Sequence, residues 1–200
     1  MKILVIADDF SKQTSIAELI KTHPVDAIFT LGDLYSSHLK ELQNISIPKF
    51  GVYGNHCSEA YMPELGIKNL HLQTEKLGEL TIGGFEGCHR YKENGHHQFS
   101  HQESVDLIKN FPKVDILLTH APPLGVNDDW STESHQGLYG TLEYIKSNPV
   151  KILFHGHTYP KDNHVSKIEN TIVVYTYGFK IWDLDEILTM SNLPTAKRYR

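Results

Sequence analysis

The chain has 200 residues, 40% of them apolar, enough to enclose the core of one domain without staples, and its formal charge of −5 is mixed along the chain. That charge pattern argues against the basic face needed to hold a nucleic-acid polymer. Two cysteines, Cys57 and Cys88, are too few for a disulfide framework, no apolar run approaches the roughly 18 residues of a membrane span, and no basic-then-apolar leader opens the chain, so a cytoplasmic protein is expected.

KILVIA (2–7) is continuously apolar, the pattern of a strand covered on both faces. Ile16, Leu19 and Ile20 then recur at helical spacing until His23-Pro24 breaks it. DAIFTLGD (26–33) reads as a second buried strand entering a Gly-Asp turn, SSHLKELQNI (36–45) as a short helix, and PKFGVYGNH (48–56) as a third strand. LHLQTEKLGELTIGGF (70–85) predicts two strands around Gly78, followed by a loop rich in Gly and His up to Ser100. Ser100 and Glu103 form a capping box that opens a helix carrying Val105, Leu107 and Ile108. VDILLTHAPP (114–123) is another buried strand, and Leu138, Leu142 and Ile145 mark a helix stopped by Asn148-Pro149. KILFHGHTY (151–159) repeats the strand design, and TIVVYTYGF with KIWDL is expected to form an antiparallel edge.

Five of these apolar strands end in polar residues able to hold a metal: Asp8, Asp33, Asn55-His56, His120 and His155-Gly156-His157. In an open α/β sheet, ligand sites form beyond the carboxyl ends of the strands, so residues scattered over the chain converge there. The thirteen histidines, many of them beside Gly, Asn or Asp, also point to a polar site. The competing reading is that these residues cap helices and bond loop backbones.

ADDF (7–10), LGDLY (31–35), YGNHCS (53–58), LLTHAPP (117–123) and FHGHTY (154–159) resemble, in order and spacing, the D-x-H, G-D, G-N-H-[D/E], H and G-H-x-H stations of the calcineurin-like metallophosphoesterases. GGFEGCHRY (83–91) and NDDWSTESHQG (127–137) are similar to segments of a small, cap-free branch of that family. The resemblance implies a four-layer α/β/β/α sandwich with mixed sheets and two transition-metal ions, usually Mn, Fe, Zn or Ni. It implies a first ion held by Asp8, position 10, position 159 and a bridging Asp33, and a second held by Asp33, Asn55, His120 and His157. His56 would donate a hydrogen bond or proton to the phosphate and leaving group, and Arg90 and His135 would bind phosphate oxygens.

Positions 10 and 159 depart from the pattern, being Phe10 and Tyr159. Both losses fall on the first ion, which predicts a centre with one well-formed metal site. Asp9 is a poor substitute, because alternation along the strand turns it to the face opposite Asp8. Phe10 and Tyr159 would either stack on a base or aryl group or fill the vacated space with apolar volume, and a third reading has a Tyr159 phenolate complete a second ion site, at a cost set by its pKa of about 10. Asp8, with its partners gone, is either a ligand or a hydrogen-bond partner of one. For Arg90 the other reading is a surface salt bridge. Cys57 stands where an acidic residue usually orients the histidine, and His155 is expected to point away from the site. The function this implies is a phosphoesterase cleaving a small phosphodiester or phosphomonoester with hydroxide on the ion as nucleophile. The alternative is a silenced member of the fold that works as a binding scaffold.

Overall fold

In the computed structural model, which describes residues 1–9, 15–57, 61–160 and 165–197, the apolar runs form buried strands of two sheets. Strands β1 (Lys2–Ala7), β2 (Ala27–Thr30), β3 (Lys49–Gly51) and β4 (Lys68–Asn69) lie parallel to one another. Strands β5 (Thr74–Leu77) and β6 (Leu80–Phe85) make the antiparallel pair expected around Gly78. A small parallel pair follows, β7 (Cys88–His89) with β8 (Gln98–Phe99), inside what the sequence presented as a loop. The remaining strands are β9 (Ile116–Thr119), β10 (Ile152–His155), β11 (Val165–Ile168), β12 (Thr171–Tyr175) and β13 (Gly178–Asp183). The first sheet runs β13-β1-β2-β3-β4 and the second β11-β12-β10-β9-β6-β5.

Alternation along the strands divides the apolar residues among three cores, and three cores separate four layers. Ile3, Val5 and Phe29 of the first sheet meet Leu118, Ile152 and Phe154 of the second in the central core. Leu4, Ile6 and Ile28 point outward under helix α1 (Ile16–Thr22) and the segment around Leu39 and Leu42. Leu117, Leu153 and Val173 point the other way, under α2 (His101–Ile108) and α3 (Tyr139–Ser147). This is the expected α/β/β/α sandwich. A last helix, α4 (Leu184–Thr189), sets Leu184 and Ile187 into the central core. Among the described residues no helix is long and apolar enough to cross a membrane.

The capping box forms as expected: the Ser100 hydroxyl accepts the Glu103 N–H, and the Glu103 carboxylate accepts the Ser100 N–H at 2.7 Å. Helix α3 ends at Asn148, before the proline. One expectation is refined and another corrected. SSHLKELQNI forms its short helix as two 3₁₀ turns, Ser36–His38 and Lys40–Asn44. Its buried anchors Leu39 and Leu42 are three residues apart, the repeat of a three-residue turn. TIVVYTYGF and KIWDL do not share an edge. Strand β12 is buried throughout, parallel to β10 and antiparallel to β11, and after Thr176 the chain crosses to the other sheet, where β13 lies antiparallel to β1.

Phe29 spans the central core, its ring edge-on to Phe154 across the sheets at 5.9 Å and to Phe50 at 6.4 Å. Phe29→Ala should therefore lower unfolding stability by about 3–5 kcal/mol in a denaturant titration.

Candidate metal centre

The carboxyl ends of both sheets meet on one side of the sandwich, where the loops after β1, β2, β3, β9 and β10 carry Asp8, Asp33, Asn55, His120 and His157. The loops touch because glycine leaves room. A Cβ on Gly54 would stand 2.1 Å from an Asp33 carboxylate oxygen, and one on Gly156 would stand 2.6 Å from the Asp8 carboxylate. Asp8, Asp33 and His157 themselves adopt left-handed backbone, with φ of 61, 53 and 67°. Such conformations in residues other than glycine cost of order 1–3 kcal/mol each and persist where the surroundings fix them.

Asp33, His120 and His157 offer ligand atoms that all lie within 4.8 Å of one another. His120 Nε2 is 3.3 Å from Asp33 Oδ2 and 3.0 Å from Asn55 Oδ1. The opposite atom of each side chain is tied down. His120 Nδ1 donates to the Leu31 carbonyl at 2.7 Å, His157 Nε2 donates to the Ser134 carbonyl at 2.6 Å, and Asn55 Nδ2 donates to the Tyr91 hydroxyl at 3.1 Å. These bonds leave His120 Nε2, His157 Nδ1 and Asn55 Oδ1 for the interior of the cluster, the arrangement by which outer hydrogen bonds orient metal ligands.

Charge in the cluster is unevenly distributed. Burial opposes ionisation of Asp33, yet the adjacent His120 prevails and holds its carboxyl well below the usual range. Burial likewise disfavours a charged His120, but Asp33 beside it raises the imidazole to about 9. His157 is kept neutral by burial and by the positive charge on His120. Burial pushes Asp8 up to about 6, despite the His120 charge and the His157 N–H that its two oxygens accept at 3.1 and 3.0 Å. Protonated His120 is thus the cation among converging acceptors. Carboxylate, carboxamide and imidazole donors suit a transition-metal ion, which would take that place once the proton leaves.

The other residues singled out from the sequence fall at different distances from this cluster. His56 donates its backbone N–H to Asp33 Oδ1 at 2.7 Å, and it lines a cavity of about 400 Å³ with Asp8, Asp33, Tyr35, Tyr61 and Tyr159. His135 lies beside the cluster, its ring 5.4 Å from that of His157 and 5.7 Å from that of Tyr159. Arg90 is not among the residues lining this cavity. It bonds the Gln98 carbonyl at 3.1 Å and pairs with Glu103 at 2.8 Å, which ties β8 to α2, so its surface salt bridge is what the structure shows. His155 is buried away from the cluster, with Asn127 Nδ2 3.0 Å from its Nε2. Phe10 lies outside the described residues. Tyr159 does not fill vacated space, because it is 59% exposed.

Cys57 has a role that the sequence did not disclose. Its sulfur accepts the backbone N–H of Asp33 at 3.2 Å and of Gly54 at 3.3 Å, joining the loops after β2 and β3 from below, and burial raises its thiol pKa. Tyr91 and Ser134 were missed as well. Tyr91 could have been flagged by its place in GGFEGCHRY beside Arg90, whereas Ser134 acts through its carbonyl, which any residue type provides.

The sequence model of the calcineurin-like phosphoesterase superfamily domain matches residues 1–176. One solved structure superposes with a TM-score of 0.70 at 16% identity, covering 92% of this chain and 95% of its own. A novel archaeal phosphodiesterase gives a TM-score of 0.54 at 15% identity, with 93% and 95% covered. The phosphopantetheinyl hydrolase of Mycobacterium tuberculosis gives 0.54 at 13% identity, with 88% and 89% covered. No curated protein matches the chain by sequence.

Two outcomes follow from the geometry. Manganese affinity should rise with pH up to about 9, because the ion must displace the His120 proton. Calorimetry in buffers of differing ionisation enthalpy should then show about one proton released per ion bound at neutral pH. Cys57→Val leaves the N–H groups of Asp33 and Gly54 without their acceptor and should lower stability by about 1–3 kcal/mol in urea, with Cys57→Ser losing less.

Proposed function

The chain belongs to the calcineurin-like phosphoesterase superfamily, and on that premise we propose that it is a metal-dependent phosphoesterase cleaving small phosphodiesters or phosphomonoesters. The observation that carries this reading is the buried convergence of Asp33, His120 and His157, with Asn55 against them, beside a cavity that Asp33 lines. These four residues would hold one transition-metal ion such as manganese, and Asp8 lies beside them with its carboxylate against the His157 backbone. A bound ion there would lower the pKa of a coordinated water and polarise a phosphoryl oxygen.

The protein's own groups supply the rest. Asp33 holds His56 by its backbone, which places that imidazole in the cavity wall, where it can give a proton to the departing alkoxide. His135 sits between the cluster and the rim, with its pKa lowered by burial, and serves as a neutral donor to a phosphate oxygen. Arg90 is bound to Glu103, so its assistance to phosphate would require release of that pair. The thiols of Cys57 and Cys88 are both free and buried, in keeping with work in the cytoplasm.

Purified protein should carry about one ion per chain by elemental analysis and hydrolyse bis-p-nitrophenyl phosphate with added manganese. His120→Ala should lose the ion and lower turnover roughly a hundredfold or more. His56→Ala should retain the ion and lower kcat about a hundredfold. Protein that binds no metal and turns over no ester would instead fit the scaffold alternative.

A further inference from the structure

Tyr159, at a position where a ligand of the first ion is expected, is linked to the cluster by aromatic rings. Ring contacts run outward from the cluster without a gap: His120 to His157 at 4.7 Å, His157 to His135 at 5.4 Å, His135 to Tyr159 at 5.7 Å, and Tyr159 to Tyr177 at 5.6 Å. Tyr159 and Tyr177 are 59% and 50% exposed, and Tyr35 is 70% exposed. Tyr35 and Tyr159 line the same 400 Å³ cavity as Asp33 and His56, one arriving from each sheet, with the hydroxyl-bearing Ser36 and Ser37 also in its wall. Large rings left in water beside a polar cavity are surface that a ligand can cover. The same cavity is lined both by Asp8, Asp33 and His56 and by tyrosine rings.

Resting on the phosphoesterase reading, we infer that Tyr159, with Tyr35, forms a recognition site for a planar aromatic ring on the alcohol portion of the phosphate ester. The substitution at position 159 thus turns a ligand position into a specificity element. The cavity volume accommodates a molecule the size of a mononucleotide. A nucleobase and an aryl group share the required chemistry, because either presents a π-face to the tyrosine ring.

The test is equilibrium binding by calorimetry to the manganese-loaded protein, using phosphonates that cannot be hydrolysed: methylphosphonate, phenylphosphonate and the methylenephosphonate analogue of AMP. The ring-bearing ligands should bind about tenfold more tightly than methylphosphonate, the size of one ring stack. Tyr159→Ser should erase that margin without changing methylphosphonate affinity, Tyr159→Phe should keep it, and Tyr35→Leu should reduce it. Tighter binding of the AMP analogue than of phenylphosphonate would identify a nucleobase as the ring, and the reverse order an aryl group. Equal affinities for all three ligands, or a Tyr159→Ser variant that weakens all three alike, would overturn the inference. A ring margin that persists in protein unable to hydrolyse bis-p-nitrophenyl phosphate would sink the phosphoesterase reading and leave this one standing.

Discussion

Hydrogen bonds cross between the carboxyl ends of the sheets, and the site depends on two of them in particular. Asp8, leaving the first sheet, accepts the His157 N–H from the second, while His120, leaving the second, donates to the Leu31 carbonyl of the first. Apolar packing in the central core sets how far apart the sheets lie, but it is nondirectional and leaves their lateral registration loose. Polar bonds with fixed partners supply that registration. Asp33 comes from the first sheet and His120 and His157 from neighbouring strands of the second, so a slip between the layers would part the carboxylate from the two imidazoles.

The same bonds hold backbone that would otherwise relax. Three residues of this region occupy left-handed conformations, and each is engaged by a neighbouring loop: Asp8 N–H by the Gly32 carbonyl, Asp33 N–H by the Cys57 sulfur, and His157 N–H by the Asp8 carboxylate. Strain and its restraint therefore come from the same few residues. The charge pattern shows a related economy, because the buried Asp33 carboxylate is compensated by a proton on His120. An uncompensated buried carboxylate would be costly, and a proton is a compensator that a metal ion can replace.

Much of this organisation was legible in the sequence because it rests on local pattern. Apolar runs that end in Asp, Asn or His located both the strands and the side chains at their ends, and the Ser100–Glu103 box was readable because its bonds close within four residues. The failures concern partners chosen at long range. Which sheet receives β12 and which receives β13 depends on a crossing near Thr176 that alternation does not encode. For Arg90 the sequence left phosphate binding and a surface salt bridge both open, because its pairing with Glu103 follows from how β8 approaches α2. Likewise, Cys57 looked like a lost carboxylate, and only the positions of two backbone N–H groups show what its sulfur does.

The pairing of β1 with β13 matches Lys2 to Asp183 and Ala7 to Gly178. During synthesis β1 therefore leaves the ribosome with one edge open and keeps it open until β13 has been made. Contacts between such distant segments slow folding, and an open apolar edge is prone to mispairing. The sandwich is completed only once β13 is available, and shielding of the open edge until then would matter most for this strand.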